Sequence, residues 1–222
     1  MHIINDHDTA GVWKAGVLSI EFNGQQYHAM VVNARQHKIR MHWLSRQGAP
    51  FKTLDAVKLD LQSSKADVLM ITNAGMYLDN NVPLGLFIAA GKELRPIDTA
   101  SNKTGNFYMQ PNGVFYIDKT GQGHILTTHA FVIAGKSNQF KVEYATQSGP
   151  MLLSGGIINA AFNPQSKNVN LRSGVGILPN GDMVFIISQS DNTTFYDFAS
   201  LFKVKFGCRD ALYLDGAISK CI

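Results

Sequence analysis

The sequence predicts an α+β fold: a single domain, residues 1–222, of mostly antiparallel β-sheet with a few packed helices. Short apolar runs of strand-forming residues recur along the chain, and turn sequences containing Asn and Gly lie between many of them. Twenty of the 222 residues are glycines, many of them at such turns. Helical spacing of apolar residues is clear in only two segments. These observations favour sheet over helix along most of the chain.

The first half of the chain is predicted to form antiparallel strands. Residues 12–22 alternate partly between apolar and polar side chains. Asn23-Gly24 is a favoured two-residue hairpin turn that leads into the next strand. The predicted strands of this half are residues 12–22, 27–32, 38–44, 67–72 and 84–90.

The second half contains further strands introduced by turns. Two Pro-Asn-Gly turns, at residues 111–113 and 179–181, each precede an apolar run. The sequences around these turns do not match over any fixed period, so no internal repeat is predicted. Residues 101–106 are predicted to form an exposed loop. The predicted strands of this half are residues 114–117, 151–153, 175–178, 183–187 and 211–214.

Two helices are predicted. Residues 53–62 form a short amphipathic helix for which Thr53 is the candidate N-cap. In residues 194–206 four phenylalanines recur at helical spacing, which indicates core packing, and Gly207 provides the stop. Residues 190–193 precede this second helix, where free backbone N–H groups can be capped by a side chain or can bind an anion.

Composition excludes some classes of partner. Hydrophobic residues make up 45% and charged residues 16%, as is ordinary for a folded globular protein. The net charge of +4 comes from scattered basic residues. It therefore argues against a nucleic-acid surface but is compatible with an anionic ligand. The longest apolar run, residues 84–90, is far too short to cross a bilayer, so no transmembrane segment is expected.

Cellular location is indicated only weakly by the sequence. Polar residues at positions 2 and 5–8 break up any apolar signal-peptide core, so no signal peptide opens the chain. Cys208 and Cys221 bracket Asp215, and they either form one disulfide in an oxidising compartment or remain buried thiols.

Four segments place polar groups and glycines beside a strand of buried type. The last, residues 211–219, is an apolar run that delivers the carboxylate of Asp215 into a small-residue turn at the rim of a sheet. The alternative for this segment is a plain hairpin, because Asp-Gly is a favoured hairpin loop. The other three segments are Asn-Ala-Gly-Met-Tyr at residues 73–77, Gln-Ser-Gly-Pro at 147–150 and Arg-Ser-Gly-Val-Gly at 172–176.

Taken in order, these four segments resemble the phosphodiester glycosidase family. The family's pattern is Asn-Gly-Gly followed by aromatics, Ser-Gly before an apolar run, Arg with a nearby Gly, and Leu-Asp-Gly-Gly with a Ser. Here Ala74 and Ala217 each replace one glycine of that pattern. The resemblance covers residues 31–219, nearly the whole chain. Family members usually carry further residues after Ser219, so the C-terminal end is expected to be truncated and to lack a terminal strand.

The resemblance implies a hydrolase that cleaves the glycosidic bond of a sugar 1-phosphodiester by attack at the sugar carbon. Such cleavage needs a group that stabilises positive charge at that carbon. Asp215 is the candidate, as nucleophile, base or electrostatic stabiliser. Asp191 is a second candidate carboxylate, with an N-cap of the helix at Thr194 as the alternative.

The phosphate is expected to be bound by Arg172, because a guanidinium holds two phosphate oxygens in a fixed fork. The alternative is an inert, exposed arginine at the start of a strand. Ser148 and Gly149 could supply a hydroxyl and a backbone N–H to the same phosphate. Asn73 could donate to sugar hydroxyls or to phosphate, or it could cap a turn.

Four further residues complete the expected site. Gly75 and Gly216 allow the backbone to approach a ligand closely. Tyr77 could pack on a sugar face or belong to the core. Ser219 could hydrogen-bond Asp215 or the substrate, or be simply solvated.

Other chemistries lack their motifs. The chain has no Gly-x-Ser-x-Gly elbow, P-loop, His-Glu-x-x-His or Cys-x-x-Cys, and its histidines lack ligand-like spacing. No cofactor or metal is therefore expected, although a calcium ion held by Asp215, Asp191 and backbone carbonyls is conceivable.

The enzyme hypothesis has two rivals. A non-catalytic glycan- or phosphoglycan-binding module would keep the cleft, and the alanines at family glycine positions leave this open. A structural envelope protein would use its glycines only for tight turns. For the enzyme we expect a periplasmic or secreted location in the bacterial envelope.

Overall fold

The computed structural model describes residues 16–34, 36–63 and 68–216. The described residues contain twelve strands: β1 (Gly16–Phe22), β2 (Gln25–Val32), β3 (Phe87–Ala89), β4 (Lys92–Arg95), β5 (Gly113–Asp118), β6 (Gly123–Thr127), β7 (Val142–Ser148), β8 (Met151–Ser154), β9 (Ile157–Ile158), β10 (Ser173–Ile177), β11 (Met183–Ser188) and β12 (Ala211–Tyr213). The α-helices are α1 (Leu54–Ser63), α2 (Thr128–Ala134) and α3 (Phe195–Ser200). A 3-10 turn spans Asn106–Tyr108, and a π-helical turn spans Leu201–Lys205.

These strands form two sheets in which every neighbouring pair is antiparallel. The larger sheet has seven strands in the order β1-β2-β11-β10-β12-β8-β9, and the smaller has five in the order β4-β3-β7-β5-β6. The predicted hairpin is confirmed, because Asn23 and Gly24 both have positive φ, at 49° and 72°. The α+β fold class is confirmed as well.

One core cluster lies between the two sheets, because alternate side chains of each sheet point toward the other. Phe115 of the smaller sheet and Phe185 of the larger pack edge to face, with ring centroids 5.7 Å apart. Each fully buried side chain of this size contributes roughly 1.5–3 kcal/mol. Other buried members of this core are Met30, Phe87, Ile117, Val175, Met183 and Leu212.

Helices cover the outer faces of both sheets. Phe198 of α3 and Phe202 of the π-helical turn are fully buried against the larger sheet. Phe131 of α2 packs against Val114 and Tyr116 of the smaller sheet. The result is a helix–sheet–sheet–helix stack, and its sheet edges carry the loops described below.

Two predicted strands are wrong. Residues 38–44 are not a strand, and only an isolated bridge joins Leu44 to Pro50. Residues 68–72 are likewise irregular, while Asp67 lies outside the described residues. In both segments apolar side chains, Met41 and Met70 among them, pack on the core between the sheets. Their apolar pattern therefore reports burial without strand pairing. The strand predicted at 84–90 is shorter, since β3 spans only three residues.

The helix predictions hold with two changes. Thr53 caps α1 as expected, because its Oγ1 accepts a hydrogen bond from the Ala56 N–H at 3.1 Å. The second predicted helix changes from α to π after Ser200 and ends before Gly207, whose φ is 65°. Helix α2 was not predicted, and Thr127 caps it by accepting from the Ala130 N–H.

Two further predictions concern the two cysteines and membrane-spanning segments. Cys208 is buried, and burial raises the pKa of its thiol to about 12. Its predicted partner Cys221 lies outside the described residues. Within the ranges that the structure describes, no helix is long and apolar enough to span a membrane.

Candidate active site

The motif segments meet at one edge of the larger sheet. Because the strands are antiparallel, the C-terminal end of β12 lies beside the N-terminal ends of β8 and β10. The Asp215 N–H donates to the Ala74 carbonyl at 3.2 Å, and the Tyr213 N–H donates to the Pro150 carbonyl at 3.0 Å. Four segments that are far apart in sequence are therefore joined through their backbones.

Two glycines of the motifs allow this close contact. A Cβ added to Gly216 would lie 2.7 Å from Arg172 Cα and 2.8 Å from the Ser173 nitrogen. The Gly75 N–H donates to Thr146 Oγ1 at 3.1 Å, and a Cβ at Gly75 would collide with the backbone carbonyl of β7. Both glycines serve backbone packing at this edge, which is a direct structural reason for their presence.

Gly216→Ala is expected to destabilise the protein and to displace the chain around Asp215. The added methyl group would meet backbone atoms, which cannot rotate away, so the cost should be about 2 kcal/mol. That corresponds to a fall in Tm of roughly 4–8 °C for a chain of this size. Thermal unfolding followed by circular dichroism measures it.

Gly135→Ala is the matched control, because Gly135 has a helical φ of −62° and its added Cβ would make ordinary contacts of 3.4 Å and longer. A fall in Tm no larger for Gly216→Ala than for this control would contradict the close approach.

Arg172 is buried at this edge, contrary to the alternative of an inert surface arginine, since only 1% of the residue is exposed. Its guanidinium carbon lies 3.8 Å from the centroid of the Phe195 ring. Nε donates to the Thr193 carbonyl at 3.1 Å and a terminal nitrogen to the Asn168 carbonyl at 3.2 Å. Burial lowers the pKa of Arg172, and its hydrogen bond to Tyr213 acts against that shift. These carbonyl acceptors are neutral, so they orient the guanidinium without neutralising its charge.

Tyr213 belongs to the same cluster and was not among the predicted site residues. Its hydroxyl accepts a hydrogen bond from the Gly216 N–H at 3.3 Å and interacts with Arg172. Burial raises the pKa of Tyr213, Arg172 opposes that shift, and the negative charge of Asp215 adds to it. Strand alternation is the signal that could have identified it, because residues two apart project to the same side.

Tyr77 is influenced electrostatically by the same carboxylate. Its residue is 40% exposed, so it is not the core residue of the alternative interpretation. Burial of its phenol raises the pKa of Tyr77, and the charge of Asp215 raises it further. The charge of Asp215 therefore acts on tyrosines from two separate segments.

Two predicted ligand-binding side chains carry buried oxygen atoms that lack partners. Ser148 is 0% exposed, and neither its Oγ nor the Oδ1 of Asn73 has a hydrogen-bond partner among the described residues. An unsatisfied buried polar atom costs about 1–3 kcal/mol. Both atoms are therefore suited to a polar ligand group or water.

The remaining predicted residues lie around this cluster. Asp191 is exposed, and the N-cap of α3 is Thr194, whose Oγ1 accepts from the Asp197 N–H at 3.0 Å. The capping role considered for Asp191 is therefore wrong. Gly149 packs against the 3-10 turn, where an added Cβ would lie 2.6 Å from the Phe107 carbonyl oxygen. Ser219 lies outside the described residues.

Part of the site adjoins a cavity of about 960 Å³. Asn73, Gly75 and Tyr77 line this cavity, whereas Ser148 and Arg172 lie outside its lining. In the described part of the chain no group of three His, Cys, Asp or Glu side chains could hold a metal ion.

The sequence and the fold define the class of protein. Residues 66–221 match the family model described as phosphodiester glycosidase, which covers more than half of the chain. The chain therefore belongs to the phosphodiester glycosidase family.

The chain is also similar to individual proteins. The chain is 39% identical over 193 residues to the Escherichia coli K12 protein named "Uncharacterized protein YigE", which covers 86% of this chain and 72% of that protein. The fold of the present chain is similar to the zebrafish N-acetylglucosamine-1-phosphodiester alpha-N-acetylglucosaminidase catalytic domain auto-inhibited by its pro-peptide, with a TM-score of 0.57 and 15% identity. That match covers 93% of this chain and 71% of the zebrafish chain. A hypothetical protein from Synechocystis matches with a TM-score of 0.54 and 15% identity, over 93% of this chain and 57% of its own.

Proposed function

We propose that this protein hydrolyses the glycosidic bond of a sugar 1-phosphodiester at the edge formed by Asp215, Arg172 and Tyr213. The observation that carries the proposal is the convergence of the four motif segments through backbone hydrogen bonds and glycine contacts. The family to which the chain belongs, and the activity printed in the name of the zebrafish relative, support the same reaction class.

In the proposed reaction the bond between the sugar carbon C1 and the phosphate oxygen breaks. A water oxygen forms a new bond to C1, its proton passes to solvent or to a carboxylate, and the phosphate monoester leaves as an anion. Because phosphate leaves readily, protonation of the leaving group matters less than stabilisation of positive charge at C1. Asp215 is assigned to face C1, where its negative charge stabilises the transition state.

Donors around Asp215 are assigned to the phosphate. Arg172 brings a buried positive charge, and the Tyr213 and Ser148 hydroxyls are neutral donors. Positive charge fixed in a buried site acts strongly on an anion, because little water screens it. Asn73 is assigned to a sugar hydroxyl, and Asp191, which is exposed, to a secondary role as acid.

The proposal is tested by incubating the protein with UDP-N-acetylglucosamine and other sugar 1-phosphodiesters in water labelled with heavy oxygen. We expect release of reducing sugar, with the label found by mass spectrometry in the sugar. Attack at phosphorus would place the label in the phosphate and refute the glycosidase mechanism. Binding of these compounds without cleavage of any of them would favour the rival glycan-binding module, which the alanine at position 74 leaves open.

A further inference from the structure

The cavity beside the site is far larger than a sugar phosphate needs. Its volume of about 960 Å³ lies between the inner faces of the sheets and the irregular segment that precedes β3. It is at the upper end of the range usual for small-molecule sites, roughly 300–1,000 Å³. The sheet side chains that line it are Met30, Val32, Phe87, Phe115, Phe185 and Leu214.

The opposite wall of the cavity contributes further apolar side chains. Met41, Trp43 and Met70 come from irregular chain, and Val57 comes from the buried face of α1. The Trp43 indole N–H donates to the Asn81 carbonyl at 2.7 Å, which fixes the ring in this wall. An apolar ligand chain would remove these apolar side chains from water, which a hydrophilic ligand would not do.

Positive charge surrounds the apolar lining. Exposed Lys38, Arg40 and Lys52 belong to the lining, and Asp55 is the one carboxylate among the lining residues described. An apolar interior with a cationic rim is complementary to an amphiphile that carries an anionic head group.

The cavity adjoins the proposed catalytic edge. Leu214 lines the cavity and directly precedes Asp215, whose N–H is hydrogen-bonded to Ala74 of the cavity wall. The segment around Asn73 crosses the sheet edge, because Met70 packs on the core between the sheets and Met76 on the core of the outer face. A group attached to a phosphate at this edge would therefore lie next to residues that line the cavity.

We propose that the cavity binds the apolar aglycone of the substrate, so that the substrate is an amphiphilic sugar 1-phosphodiester with a long alkyl or isoprenoid chain. That the bound amphiphile is a substrate rests on the proposed function. That an anionic amphiphile binds rests on the cavity alone.

Binding is tested with dodecyl phosphate below its micelle concentration, with butyl phosphate and inorganic phosphate for comparison. Because each buried methylene adds to affinity, we expect dodecyl phosphate to bind at least about tenfold more tightly than butyl phosphate. Tryptophan fluorescence reports binding, and the signal should disappear in Trp43→Phe because Trp43 lines the cavity. Equal affinity for the three compounds would overturn the inference.

Two variants test whether the ligand binds in the cavity. Val57→Trp fills the cavity and Arg40→Glu reverses charge at its rim, and each should weaken dodecyl phosphate by about tenfold or more. Their matched controls are Val132→Trp on the half-exposed face of α2 and Arg209→Glu on the surface, both of which should bind as the wild type does. If Val57→Trp fails to fold, Arg40→Glu and the chain-length series decide the outcome. Equal loss in variants and controls would overturn the site.

Hydrolysis separates this inference from the proposed function. We expect kcat/KM for dodecyl N-acetylglucosamine 1-phosphodiester to exceed that for the methyl diester by about tenfold or more, and Val57→Trp to reduce this ratio. Equal cleavage of both diesters without dodecyl phosphate binding refutes the aglycone site and leaves the glycosidase standing. Tight binding of dodecyl phosphate without cleavage of either diester refutes the glycosidase and, with it, the aglycone role.

Discussion

Replacing Asp215 by Asn is expected to lower turnover by roughly a hundredfold or more while leaving substrate affinity similar. The amide nearly preserves the shape of the side chain but removes the negative charge that would face developing positive charge at the sugar carbon. A group that acts only in the transition state affects kcat more than KM. Steady-state kinetics on a sugar 1-phosphodiester, with binding measured separately by calorimetry, give both quantities.

Asp191→Asn is the matched control for this prediction. It removes the other candidate carboxylate, but Asp191 is exposed and does not cap α3. Because a phosphate leaving group needs little acid assistance, the loss should stay below about tenfold. An Asp215→Asn variant with wild-type turnover would refute the role assigned to Asp215, and a larger loss in Asp191→Asn would exchange the two assignments.

Elements with local signals were predictable from the sequence. The β1–β2 turn is predicted by Asn23-Gly24. Helix α1 is predicted by its N-cap and its apolar face. In each case the signal lies within the element itself or within a few residues of it. Residues 38–44 carry a strand-like pattern but lack a partner strand, and pairing depends on distant chain. Helix α2 was missed because its β-branched and aromatic residues favour a strand, and tertiary packing of Phe131 overrides that preference.

The candidate site was predictable in its residue types and less so in its environment. The motif order identified Asp215 and Arg172, which the fold places at one edge. The burial of Arg172 was not predictable, since its stacking on Phe195 depends on how α3 packs against the sheet. The cavity was also not predictable from the sequence, because it is enclosed by irregular segments whose positions depend on long-range packing. The expected periplasmic or secreted location stays a prediction.

Arg172→Lys is expected to lower both stability and substrate affinity although the charge is conserved. Lysine cannot stack as a plane on Phe195, now 3.8 Å from the guanidinium carbon, or reach the Thr193 and Asn168 carbonyls together. A hydrogen bond from a charged group contributes about 1.5–3 kcal/mol, so losing one should lower Tm by roughly 4–8 °C. Affinity for the diester should fall by about tenfold, because a misplaced cation no longer fixes the phosphate and Tyr213.

Stability and binding are distinguished by two comparisons. Arg209→Lys changes an exposed arginine in the same way and should leave both Tm and affinity at wild-type values. Tyr213→Phe keeps the ring but removes the hydroxyl that joins Arg172 to the Gly216 N–H. If Arg172 acts on the phosphate, Arg172→Lys should weaken binding of inorganic phosphate more than Tyr213→Phe does. If it only packs, Arg172→Lys should lower Tm and leave phosphate binding intact, and the phosphate-binding assignment would then be wrong.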